Sequence, residues 1–141
     1  MSDLAPIAEA VAVDPLIPHP PDYHVFHKFL DRCKSLKAIT TAVCWPMSDV
    51  ALKGAVEAAA ADLIEPTLIG PEAGLRSLAA KIGVDISQFP ILNAETEAKA
   101  AEICVAMCRS GNAQAMMKGS LPTDEVMEVS MQRDTVLRTS R

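Results

Sequence analysis

From Lys37 onward the chain alternates four times between a short apolar or β-branched run and a longer segment with helical spacing. That alternation restricts the fold more than any other feature. Short apolar runs bounded by turn residues read as strands covered on both faces. The helix after each one is long enough to carry the chain back to the start of a neighbouring parallel strand, and such crossovers are right-handed. The expected class is therefore α/β, a three-layer α/β/α arrangement about a mainly parallel sheet.

The run Ala38 to Cys44 predicts the first strand. Ser48 is placed to cap a helix from Asp49 to about Asp62, with Leu52, Val56 and Ala59 on one face. Pro66 to Ile69 predicts a second strand, and Gly70-Pro71 opens a helix with proline at its first position. Its stripe is Leu75, Leu78, Ala79 and Ile82, and Gly83 suits a left-handed cap. Phe89 to Leu92 is the third expected strand. Asn93 is then expected to cap a helix from Glu95 to Arg109, closed by Gly111. Ala113 to Met117 is the fourth expected strand, and Leu121 to about Arg133 the fourth expected helix.

The start of the chain is different. Residues 1–22 hold Pro6, Pro15, Pro18, Pro20 and Pro21, which fix φ and remove donors, so this stretch is expected to be an extended arm or linker. The folded part is expected over 23–141. It begins with a helix from Tyr23 to Leu36, on which Phe26, Phe29, Leu30 and Cys33 share a face. His24 and His27 on that helix read as surface or packing residues.

Charge and composition exclude several functions. A formal net charge of −5 and an aromatic content of 4% disfavour nucleic-acid binding, which needs clustered cations and stacking platforms. No apolar run is long enough to span a bilayer, and the acidic, proline-containing first residues do not read as a signal peptide. The expectation is a cytoplasmic protein with four free thiols, Cys33, Cys44, Cys104 and Cys108. Cys104 and Cys108, one helical turn apart, read as small buried hydrophobes, and no metal site is expected.

The residues that point to chemistry are Lys118, Gly119 and Ser120, between the fourth strand and the fourth helix. In an open parallel sheet, ligands bind beyond the carboxyl ends of the strands. Gly119 allows a sharp turn, the first helical turn offers amides and the positive end of its dipole, and Lys118 and Ser120 add an ammonium and a hydroxyl. The spacing is not that of a nucleotide-hydrolase phosphate loop, which needs a longer glycine-spaced run before its lysine. A simpler reading is that Ser120 caps the helix and Lys118 is solvated. Arg138 and Arg141 follow the last helix and suit bidentate recognition of phosphate or carboxylate, or else form a basic terminus. Trp45, at the end of the first strand, reads as a packing residue that could flank a ligand. Asp49 reads as a partner of the helix dipole.

With these residues in view, MMKGSLPTDEVM and the following LRTSR resemble corresponding segments of the phosphate acetyl/butyryltransferase family. The stretch VALKGAVEAAAADLIEPTLIGPEAGLRSLAAKIGVDIS is similar in style and spacing, so the resemblance runs from about Lys37 to Arg141. It implies a fold like that of the isocitrate and isopropylmalate dehydrogenases, seen here in part. It implies acyl transfer between coenzyme A and inorganic phosphate, in a cleft between two domains of a homodimer. Coenzyme A and an acyl phosphate, or inorganic phosphate, are then the substrates, with no bound cofactor. Carried over by residue, Lys118, Gly119, Ser120, Arg138 and Arg141 are assigned to phosphate or coenzyme A phosphate binding.

Two departures stand out. Pro122 occupies a position where the family pattern usually has histidine. The serine, arginine and aspartate that the family is thought to use late in the domain have no counterpart, so the catalytic residues stay unassigned. The chain is accordingly expected to be the amino-terminal portion of an acyltransferase, inactive or nearly so alone. The alternatives are a non-catalytic module that binds an anion or coenzyme A, and a structural partner in a hetero-oligomer.

Overall fold

A computed structural model describes residues 24–131. The expected arm over 1–22, Arg138 and Arg141 lie outside the described residues. The elements run α1 (His24–Cys33), β1 (Ile39–Cys44), α2 (Asp49–Ala60), β2 (Ile64–Gly70), α3 (Glu72–Ile82), β3 (Ile91–Asn93), α4 (Glu97–Ser110), β4 (Ala115–Lys118) and α5 (Thr123–Met131). The four strands form one sheet in the order β3-β2-β1-β4, and every pairing is parallel.

One rule of handedness accounts for the layers. Stepping outward from β1 to β2 to β3 with right-handed crossovers lays α2 and α3 on one face. The return past β1 to β4 reverses direction and lays α4 on the other. Two cores follow. Val43 and Leu68 face α2 and α3, where they meet Leu52, Ala55, Leu75 and Ala79. Ala42, Cys44 and Ile69 face the opposite way, toward Ala100, Ala101, Cys104 and Val105 of α4 and Val126 and Val129 of α5. Registers such as Val43↔Leu68 and Cys44↔Ile69 keep each row of side chains on its own face.

Local chemistry sets the boundaries. Ser48 caps α2 as expected, accepting the Ala51 amide at 3.2 Å. Gly83 and Gly111 end α3 and α4 with φ of 73° and 81°, in the left-handed region. β2 is longer than its apolar run suggests and carries Pro66 inside a central strand. Leu68, of the same parity, donates its amide toward β3, to the Pro90 carbonyl at 2.9 Å. Pro66 therefore turns its missing donor to that side, where pairing with β3 starts only at Leu68.

Three sequence expectations are corrected. Asn93 does not cap the helix that follows it. Its Oδ1 instead accepts the Glu72 amide at 3.0 Å and caps α3, while Thr96 caps α4 by accepting the Lys99 amide at 3.1 Å. Pro71 stands at the N-cap of α3, one position before the helix. The third strand shifts to Ile91–Asn93 because Pro90 cannot donate to the ladder, although its carbonyl takes part. The leading helix does form, but it buries none of its residues, and Phe26 and Phe29 are 51% and 63% exposed.

Candidate functional site

The sheet reverses direction between β1 and β4. The chain leaves β1 toward α2 on one face and leaves β4 toward α5 on the other, so the carboxyl ends of these neighbours diverge. A doubly wound sheet opens its ligand crevice at such a point. Cys44 pairs with Lys118 across it, which places Cys44-Trp45-Pro46 beside Lys118-Gly119-Ser120.

The two turns are interlocked. The Gly119 amide donates to the Cys44 carbonyl at 2.7 Å, and the Ser120 amide donates to the Trp45 carbonyl at 2.9 Å. A β-carbon on Gly119 would lie 2.3 Å from the Trp45 carbonyl oxygen and 2.5 Å from that of Cys44, so no other residue fits without moving backbone. Gly119 is thus required for close approach between two chain segments. The Ser120 hydroxyl donates to the Trp45 carbonyl at 3.1 Å and accepts the Met47 amide at 3.2 Å. It ties the β4–α5 turn to the β1–α2 turn and does not cap α5, contrary to the simpler sequence reading.

Two features of the turn remain directed outward. Lys118 is exposed, and its ammonium arches over the turn to donate to the Leu121 carbonyl at 2.9 Å and the Gly119 carbonyl at 3.3 Å. It is not simply solvated. The first-turn amides of α5 have no acceptor within the helix, and among the described residues no side chain is bonded to them. Pro122 lacks an amide of its own and leads into that turn. Asp124 and Glu125 in the same turn already oppose the positive end of the dipole.

The surroundings are acidic on one side. A hollow of about 520 Å³ between α4 and α5 is lined by Thr96, Glu97, Glu102, Glu125 and Glu128. Desolvation raises the Glu125 carboxyl above the usual range, helped by a hydrogen bond with Glu97 and repulsion from Asp124 and Glu128. A second hollow, about 480 Å³, lies at the amino ends of the strands by Thr40, Asp62, Glu65, Phe89 and Asn112. It is remote from the turns that gather backbone donors.

Beneath the crevice lie thiols. Cys44 and Cys104 are wholly buried, with Cys108 packed against the same core. Cys104 is hydrogen-bonded to Cys44, which together with burial pushes its thiol far above the ordinary range. Burial also raises Cys108. Cys104 and Cys108 are therefore poor nucleophiles and act as core, while the same hydrogen bond lowers the buried Cys44 thiol. Among the described residues no group of three or more His, Cys, Asp or Glu is placed to hold a metal ion. No described helix is long and apolar enough to cross a membrane.

Sequence reasoning missed the backbone of Trp45, which has a φ of 53°. For a bulky residue this left-handed conformation costs about 1–3 kcal/mol and persists only where surrounding contacts fix it. The ring packs against the core, as its position suggested. The conformation itself has no signal in one sequence, since it answers to β4, which lies far along the chain.

The described chain is thus an α/β unit whose turns converge at the reversal of a parallel sheet. No protein-family model matches it. Its curated homologues are phosphate acetyltransferases and phosphate butyryltransferases. It is 39% identical over 116 residues to the phosphate acetyltransferase of Rickettsia typhi, covering 82% of this chain and 33% of that protein. It is 26% identical to the phosphate butyryltransferase of Clostridium beijerinckii, covering 82% of this chain and 38% of that one. A phosphotransacetylase structure from Streptococcus pyogenes shares the fold, with a TM-score of 0.66 at 14% identity, over 79% of this chain and 42% of that one. The family resemblance drawn from the sequence is borne out. The chain spans between 33% and 38% of the length of these two curated relatives.

Proposed function

We propose that this chain forms part of an enzyme that moves an acyl group between coenzyme A and inorganic phosphate, and that Lys118 and the first turn of α5 hold a phosphate group at the β1/β4 crevice. The observation that carries this reading is the position of the Lys118–Ser120 turn where adjacent strands depart to opposite faces. The homologues' names support the reaction class.

In the forward direction the coenzyme A thiolate attacks the carbonyl carbon of an acyl phosphate. A carbon–sulfur bond forms, the carbon–oxygen bond breaks, and phosphate leaves with the electron pair. The chain's own groups suit the phosphate side of this step. An ammonium and fixed amides offset charge on the leaving oxygen without reorganising. No covalent enzyme intermediate is needed when both substrates are held in line. Gly119 and Ser120 serve in this reading by shaping the turn, because their amides and the hydroxyl are engaged with β1. Arg138 and Arg141 are assigned to the same phosphate by the family resemblance alone. The full enzyme is a cytoplasmic homodimer of the isocitrate-dehydrogenase-like fold, and its second wall comes from sequence beyond the length shared here.

The test is a coupled assay with acetyl phosphate and coenzyme A, run on this chain and on a longer protein that supplies the rest of the relatives' length. Turnover is expected from the longer protein, lost on Lys118→Ala, with little or none from this chain. A longer protein that is folded yet inactive contradicts the reading. Binding of coenzyme A without turnover in both favours a non-catalytic module.

A further inference from the structure

We propose that Trp45 is a positioning residue for the β4–α5 turn, acting through its left-handed backbone and not through contact with a ligand. The inference rests on the reading of that turn as a phosphate site and adds the element that sets its shape.

The argument starts at the end of β1. The Trp45 amide still belongs to the ladder and donates to the Ile69 carbonyl of β2 at 2.8 Å. Its carbonyl does not continue the ladder. With φ at 53° the chain swivels, and this one oxygen accepts the Met47 amide at 2.8 Å, the Ser120 amide at 2.9 Å and the Ser120 hydroxyl at 3.1 Å. Pro46 has no amide to add, and a proline disfavours helical-type backbone in the residue before it. Both the bulk of Trp45 and its successor thus work against the observed conformation. The ring holds it in place. It packs among the core residues, and its Cε3 would lie 3.8 Å from a β-carbon at Gly70.

The consequence reaches Lys118. Gly119 and Ser120 are fixed by the Cys44 and Trp45 carbonyls, and the Lys118 ammonium bonds the carbonyls of Gly119 and Leu121 on either side of Ser120. If Trp45 relaxed to extended backbone, its carbonyl would turn away, Ser120 would lose two bonds, and the ammonium would lose its frame.

The experiment compares Trp45→Ala with Trp45→Gly in the full 141-residue chain. Both remove the ring, but only glycine adopts positive φ without cost. One readout is amide hydrogen exchange at Gly119 and Ser120 by NMR, and the other is coenzyme A affinity by calorimetry. Both variants lose the packing of the ring, and Trp45→Ala is expected to lower protection at both amides and coenzyme A affinity to about fivefold or more below those of Trp45→Gly. Equal losses in the two variants, or no loss in Trp45→Ala, would overturn the proposal. Should Trp45→Ala not fold, a folded Trp45→Gly that keeps protection at Gly119 and Ser120 supports the proposal, and one that is folded yet unprotected there refutes it. Wild type that binds no coenzyme A sinks the phosphate-site reading instead, and the exchange contrast still rules on Trp45.

Discussion

Helices α3 and α5 both begin at the carboxyl edge of the sheet, yet their first turns are finished in different ways. The start of α3 is closed. Asn93, from the tip of the neighbouring strand, accepts the Glu72 amide, and Glu72 itself pairs with Arg76 at 2.8 Å. The start of α5 has a hydroxyl one short step away, but Ser120 faces back to Trp45 and Met47. The difference lies in the side chains at the two turns, because both strand pairs send their chains to opposite faces. At the ends of β2 and β3 the Asn93 side chain reaches back to the α3 amide, whereas at the ends of β1 and β4 Ser120 is committed to the β1 turn, which leaves the start of α5 available to a ligand.

The sharpest way to break this comparison is Gly119→Ala. The added methyl collides with two backbone carbonyls, and a loss of about 2–4 kcal/mol in chemical denaturation is expected. Gly54→Ala is the control of opposite sign. It lies inside α2 with nothing within 4 Å of the added carbon, and a gain of about 0.5–1 kcal/mol is expected. Equal and small effects at both sites would mean that the two turns are not interlocked. Next in size is Lys118→Ala. Phosphate and coenzyme A binding should weaken by about tenfold, while the melting curve moves little, because the Lys118 side chain is exposed. Asn93→Ala should do the reverse, costing about 1 kcal/mol of stability through the lost cap with no change in ligand affinity.

These contrasts also mark what the sequence could reveal. Features encoded by neighbours along the chain were legible: the strand–helix alternation, the Ser48 cap, the Gly83 and Gly111 terminators and the apolar faces of α2 and α3. Features that join distant segments were not. Asn93 looks like a local cap and is a long-range one. Ser120 looks like the cap of α5 and is a tie to β1. The leading helix has a clear apolar face, but periodicity alone does not say whether a partner element lies against it. Strand order, which decides where the crevice opens, depends on how the β3–β4 crossover runs, and a single sequence carries no direct signal for that.

The smallest predicted effect concerns pH. Desolvation and the hydrogen bond with Glu97 hold the Glu125 carboxyl above its ordinary value, so its protonated form favours the fold. That contribution is complete below the unfolded-state value and disappears as pH rises through the folded one. Melting temperatures of wild type and Glu125→Gln, followed from about pH 4 to about pH 7, should therefore diverge, with wild type falling relative to the variant as pH rises. A parallel pair of curves would show that the carboxyls of α4 and α5 titrate independently.

The most direct measurement is a titration of the 141-residue chain with coenzyme A, followed residue by residue in amide NMR spectra. The account predicts that the largest shifts fall on Lys118, Leu121 and the first-turn amides Thr123 to Glu125, with the Glu72 amide beneath Asn93 unmoved. Shifts centred on the start of α3 or on the hollow near Thr40 and Phe89, with the α5 turn silent, would contradict it.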